Sequence, residues 1–233
     1  MIALFKNSFR VPQCITVLIF FLISNTAVVF AQSETVDMQA LSRETQKVVN
    51  ANQEILLIWY IPHEYWKSSF QQNKSLSPEE IEKFMKIVKP YTLFLIVEGK
   101  IGQFGSVDYK DEKTIRQGLK LKEMNGSLIT PIADDEIKSD MKNFLSLVRP
   151  ILTNMLGPMG QNMNFFVFPS LSPSGKEYLN PVKDGNFSLF LSEREFKWRL
   201  PLGALMPKKK CPVDEETFSC NYKFCPFHGN RLE

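Results

Sequence analysis

Three runs in the chain are apolar at nearly every position: EILLIWYI at residues 54–61, YTLFLIVE at 91–98 and NFFVFPS at 164–170. The first is rich in β-formers, ends at Pro62 and has the length of a strand rather than of a globular helix. Alternation of apolar and polar positions would mark one wet face, and its absence predicts strands buried on both faces. The other two runs read the same way, so the chain must build a sheet that is covered on both sides.

The segments between these runs supply the cover. Residues 32–52 carry Val36, Met38, Leu41, Val48 and Val49 among polar residues, which predicts a loose helix without a strong cap. HEYWKSSF at 63–70 places aromatic side chains just past a strand end and reads as a loop. His63-Glu64 lacks the second histidine four residues on that a zinc-protease helix needs. Ser77-Pro78-Glu79-Glu80 predicts a helix start, because Ser77 can accept from a free amide, Pro78 loses no hydrogen bond there and Glu80 can close a capping box. Ile81, Phe84, Met85 and Val88 then fall on one face up to a stop at Pro90. Strand, helix, strand in that order predicts a crossover between parallel strands.

Gly99-Lys100 reads as a tight turn into an edge or bulged strand at 101–109; GKIGQFG has no lysine and hydroxyl pair leading into a helix, which excludes a phosphate loop. Residues 111–117 make a short helix, and 119–131 a hairpin around Asn125-Gly126. The acids Asp134, Asp135 and Glu136 predict the start of a long helix to about Leu156, kinked or broken at Pro150. Residues 172–185 form a turn-rich connection, and 187–202 a second hairpin with apolar residues at alternate positions. No internal repeat is present. Strands alternate with helices in one part and pair as hairpins in another, so the expected class is α+β with a mixed sheet and packed helices.

Export is expected from the first residues. Lys6 and Arg10 precede the apolar run at 14–31, and Val29 and Ala31 suit a signal peptidase cutting after Ala31. The expected domains are a signal peptide at 1–31, an α+β body at 32–205 and a small tail at 206–233. The alternative for the leader is an uncleaved anchor over 14–31, near the lower limit of a spanning helix and interrupted by Ser24, Asn25 and Thr26. Cys14 follows Val11-Pro12-Gln13, which is not the small-residue context of a lipid-modified cysteine. Without the leader the chain keeps 26 basic and 25 acidic side chains, one positive charge in excess. That balance argues against nucleic acid as a partner. It leaves a protein partner, with a membrane reached only through an uncleaved leader.

The remaining cysteines lie together in CPVDEETFSCNYKFCPFHGNRL at 211–232, with His228 among them. Phe224-Cys225-Pro226-Phe227-His228-Gly229 resembles the second knuckle of short zinc-ribbon modules, in which two Cys-Pro-x-Cys-Gly turns are joined by a brief hairpin. Cys211-Pro212-Val213-Asp214-Glu215 resembles the first, with Asp214 in a cysteine's place and Glu215 in a glycine's. The resemblance implies a structural zinc held by Cys211, Cys225 and His228. The fourth ligand is Cys220, the better donor, or Asp214, which has the ribbon position. Cys220 is preferred, because thiolate binds zinc more strongly and a first knuckle without glycine lacks its usual turn residue. In an oxidising compartment a disulfide between two of the three thiols competes with metal.

Three functions are consistent with these features. The first is an exported binding or assembly protein with a zinc-ribbon-like tail. The second is an extracytoplasmic enzyme with a cleft near His63, Glu64 and the 108–112 loop. The third is copper handling through Met155, Met159 and Met163, spaced four apart around Gly157-Pro158. The acidic triplet at 134–136 lacks the alternating-oxygen pattern of a calcium loop.

Overall fold

A computed structural model describes residues 36–233; the leader and its expected cleavage site lie outside the described residues. Among the described residues no helix is long and apolar enough to cross a membrane. Helix α1, Met38–Thr45, is capped by Asp37 and passes directly into strand β1, Gln46–Ala51. Strand β2 is Glu54–Ile61, and β1 and β2 form a hairpin through Asn52 and Gln53, both at positive φ. The helix expected over 32–52 is therefore only half right. Its second half pairs with β2, because a turn with two left-handed residues satisfies hairpin geometry without the Asn-Gly signature.

Helices α2, His63–Gln72, and α3, Pro78–Val88, follow in turn and pack together before strand β3, Tyr91–Ile101. Residues 63–70 are thus helical and not a loop. That second helix also overturns the expected parallel crossover: β2 and β3 pair antiparallel, from Glu54↔Lys100 to Ile61↔Leu93. One helix between neighbouring strands restores the starting direction, whereas two reverse it. The Ser77 and Glu80 capping box is formed as the residues predict.

Strand β3 runs straight through Gly99-Lys100, and the turn comes later, where Gly102 N–H donates to the Ser106 carbonyl. Gly99 is required for approach and not for turning, since a Cβ there would stand 2.8 Å from a Val107 methyl and 2.9 Å from the Tyr109 ring. Those residues belong to β4, Val107–Tyr109, which pairs with the end of β3. The start of β3 pairs with a later strand, β7, Asn164–Pro169. This first sheet has the order β1-β2-β3-β4, with β7 beside β3.

Helix α4, Glu112–Gln117, leads into a second sheet built from β5, Leu119–Lys122, β6, Leu128–Ile129, β8, Gly185–Leu191, and β9, Arg194–Leu200. Its order is β6-β5-β8-β9. Every ladder in both sheets is antiparallel, so the α+β class holds but the mixed sheet does not.

Helix α5, Ser139–Leu156, begins after a separate turn at Asp134–Glu136, because Ile137 is extended and buried between them. It ends at Leu156 as expected and is not broken at Pro150. Pro150 and Ser146, whose carbonyl it leaves unpaired, both face water, while Met141, Phe144, Val148 and Leu152 form the buried stripe.

The three apolar runs are strands β2, β3 and β7, and both of their faces are covered as expected. On one side, Tyr65 of α2 meets Trp59 edge-on at 5.1 Å, and Trp66 meets Phe144 of α5 at 5.1 Å. On the other, the second sheet stacks on the first: Phe187 lies 5.0 Å from Tyr60, and Trp198 lies 6.0 Å from Phe94. A covering sheet, rather than the helices usual over parallel strands, explains how an antiparallel sheet comes to have no wet face.

Candidate metal centre

The tail is built from two short ladders and two matching turns. Lys209–Lys210 (β10) pairs with Thr217–Phe218 (β11), and Phe224 bridges to Arg231. In the first turn the Cys211 N–H donates to the Glu216 carbonyl at 2.8 Å, and the Glu215 N–H donates back to the Cys211 carbonyl at 2.9 Å. In the second, Cys225 N–H donates to Asn230 at 2.7 Å and Gly229 N–H to Cys225 at 2.9 Å. The left-handed position is Glu215 at φ 60° in one and Gly229 at φ 67° in the other. The two knuckles are the same turn. Asp214 and His228 therefore occupy equivalent places, three residues after a cysteine.

This arrangement brings together three of the four sequence-derived ligands. Sγ of Cys211, Sγ of Cys225 and a ring nitrogen of His228 all lie within 4.8 Å of one another. Nδ1 of His228 is 3.5 Å from each sulfur. Metal–sulfur bonds of about 2.3 Å and metal–nitrogen bonds of about 2.0–2.1 Å at a tetrahedral angle make a sulfur-to-nitrogen edge of about 3.5–3.6 Å. The donor types and both sulfur-to-nitrogen distances thus fit a tetrahedral ion. Asp214 Oδ2 is 3.7 Å from the same nitrogen, slightly beyond the edge of about 3.3 Å expected for oxygen and nitrogen ligands.

Cys220 is not part of this group. It is half-buried beside Asn221, its Sγ 3.7 Å from the Asn221 carboxamide oxygen. All three thiols are free, and no disulfide joins any of them.

The electrostatics follow from the turns. Burial pushes the Cys211 thiol above its ordinary range, against the pull of the Val213 and Asp214 amides. At Cys225 burial is again the largest influence and acts upward. The His228 and Phe227 amides, the imidazole and the Cys211 thiol oppose it and together hold this thiol below its ordinary range. The Asp214 carboxyl is held low, first by the Glu216 amide and then by the Cys211 side chain. Amides aimed at sulfur favour thiolate, the form a metal needs. Cys211, Cys225 and Leu232 form a buried cluster of their own, with Phe218 packed against it. Outside it Val213, Tyr222, Phe224 and Phe227 are exposed, Phe227 by 70%.

The other sequence-derived residues fall elsewhere. His63 and Glu64 open α2, with His63 Nε2 3.0 Å from Glu64 Oε1, beside two cavities to which no residue of 108–112 contributes. Within that loop Lys110 instead pairs with Glu98. Met163 is buried (1% exposed) and Met155 is open (52%), so the three methionines sit in different environments. Both Cys-Pro turns expected from the resemblance are formed, the first with Glu215 in the left-handed place of a glycine. The chain matches no known protein family, no curated protein and no solved structure.

Proposed function

We propose that this chain is an exported binding or assembly protein whose α+β body carries a zinc-stapled tail, with Cys211, Cys225, His228 and Asp214 as ligands. The observation that carries the reading is the pair of equal knuckles, which set two sulfurs 3.5 Å from one imidazole nitrogen, and Asp214 Oδ2 at 3.7 Å from that nitrogen supports it as the fourth ligand. Four protein ligands close the coordination sphere, so the zinc would be structural rather than catalytic. A module this small holds no core of its own without such a staple. The exposed Val213, Tyr222, Phe224 and Phe227 support a contact role, because a rigid turn can present apolar side chains to a partner protein. Export rests on the leader, with its basic residues, apolar run and Ala31.

Elemental analysis of the purified full chain, combined with a thiol count, tests the site. About one zinc per chain is expected. Asp214→Ala should weaken zinc binding more than about tenfold in chelator competition, and Cys220→Ser should leave it unchanged. Absent zinc with fewer than three free thiols would instead establish a disulfide. A loss of affinity in Cys220→Ser alone would return the fourth position to that thiol.

A further inference from the structure

The His63 end of the first sheet, far in sequence from the tail, has the features of a ligand site. A groove of about 660 Å³ separates α2 from α3, lined by His63, Glu64, Lys67, Ile81, Met85 and Lys89 among others. Across His63 and Lys89 lies a second cavity of about 360 Å³, walled by Tyr60, Pro62, Tyr91, Leu171 and Leu179. These volumes are in the range of small-molecule pockets.

Glu64, Glu82 and Glu177 line the two cavities beside Lys67 and Lys89, and each of these carboxylates has a partner of its own. Glu64 Oε1 is taken by His63, and its Oε2 is shut from solvent without a partner. Glu82 is answered by Lys86 at 3.2 Å, and Glu177 by the Asn180 side chain at 2.7 Å. Among the described residues no carboxylate lies within 4.0 Å of the Lys67 or Lys89 ammonium. Helix α2 begins here with Pro62 as its N-cap and no side-chain cap, which adds the positive end of a helix. Two free ammonium groups and an imidazole fixed through Nε2, with Nδ1 left over, thus line the groove at the start of α2 beside apolar walls. Tyr60 adds a neutral phenol, since burial, reinforced by Glu64, pushes its pKa far up.

We propose that the paired cavities bind a small amphipathic carboxylate. Its carboxylate is held at Lys89 and Lys67, next to the start of α2. Its apolar body lies on Ile81 and Met85 and extends past His63 toward Leu171 and Leu179. The inference uses none of the tail residues, so it stands or falls apart from the metal reading.

Decanoate is a suitable probe, titrated into the labelled full-length chain and followed by heteronuclear NMR. Saturable shifts are expected at His63, Ile81, Met85 and Leu179. Lys67→Gln with Lys89→Gln should weaken binding at least tenfold, and both side chains are exposed, so the double variant should fold. Decanol, with the same body and no charge, should bind at least tenfold more weakly than decanoate. Equal binding of decanol, no saturation with decanoate, or shifts confined to the exposed Leu147 and Ile151 on α5 would each overturn the proposal.

Discussion

Glu215 occupies a backbone position that normally belongs to glycine. At φ 60° its Cβ crowds the following carbonyl, a cost of about 1–2 kcal/mol for a residue other than glycine. Gly229, at the equivalent place in the second knuckle, carries no such strain. Glu215→Gly should therefore tighten zinc binding severalfold, since the gain of about 1 kcal/mol is partly offset by the greater freedom of glycine in the unfolded chain. Chelator competition on the two proteins checks this, and weaker binding in the variant would show that the Glu215 side chain contributes to the turn. The site itself was partly legible. Cys211, Cys225 and His228 could be read from spacing, because cysteines in Cys-Pro turns are distinctive. Donor strength and the missing glycine of the first turn both point to Cys220 ahead of Asp214. The backbone accommodates Glu215 there, and the turn places the residue three after the cysteine regardless of its type.

At the level of elements, legibility followed capping. Helix α3 could be read to its first residue because Ser77, Pro78 and Glu80 are a reciprocal set: the Ser77 hydroxyl accepts from Glu80 N–H at 3.2 Å, and Glu80 Oε2 accepts from Ser77 N–H at 2.8 Å. Helix α2 has no such signal, since Pro62 cannot cap with a side chain and its aromatic residues suit a strand end equally well. Strand β1 hid for a similar reason, with Val48 exposed and a turn at Asn52-Gln53 that carries no glycine. Missing α2 then reversed the predicted strand direction. The cap also makes a measurable contribution. Ser77→Ala should cost about 1 kcal/mol in urea unfolding. The Glu80 carboxyl is held below its ordinary range, first by its bond to the Ser77 amide and then by the Ser77 hydroxyl. A depressed carboxyl stabilises the fold above its unfolded pKa of about 4.3 and loses that contribution as pH falls through its lower folded value. Stability measured from pH 6 to pH 2 should therefore fall less steeply in Glu80→Gln than in the parent, and identical slopes would remove Glu80 from the acid response.

Among the described residues two apolar clusters are built differently, and this difference is testable. The body's cluster joins both sheets and the helices, and Thr45 at the end of α1 ties it across the layers. Trp59 Nε1 donates to the Thr45 hydroxyl at 3.1 Å, and Trp198 Nε1 of the second sheet donates to the Thr45 carbonyl at 2.9 Å. The tail's cluster is only Cys211, Cys225 and Leu232 with Phe218, too little apolar surface to offset the ordering of its chain without a ligand. Thr45→Val removes one acceptor, keeps the carbonyl and leaves the buried Trp59 N–H unpaired, so the body should lose about 1–3 kcal/mol. Removal of the proposed zinc would act on the other cluster. In the parent protein a strong chelator should leave the emission of Trp59, Trp66 and Trp198, all in the body, unchanged, while the NMR signals of Phe218, Phe227 and Leu232 collapse toward unfolded positions. Thr45→Val should do the reverse in urea, shifting the tryptophan transition and leaving zinc affinity intact. A single transition in which chelation also unfolds the tryptophan core would mean that the metal holds the entire chain, and the tail would then be part of the body's stability rather than a module attached to it.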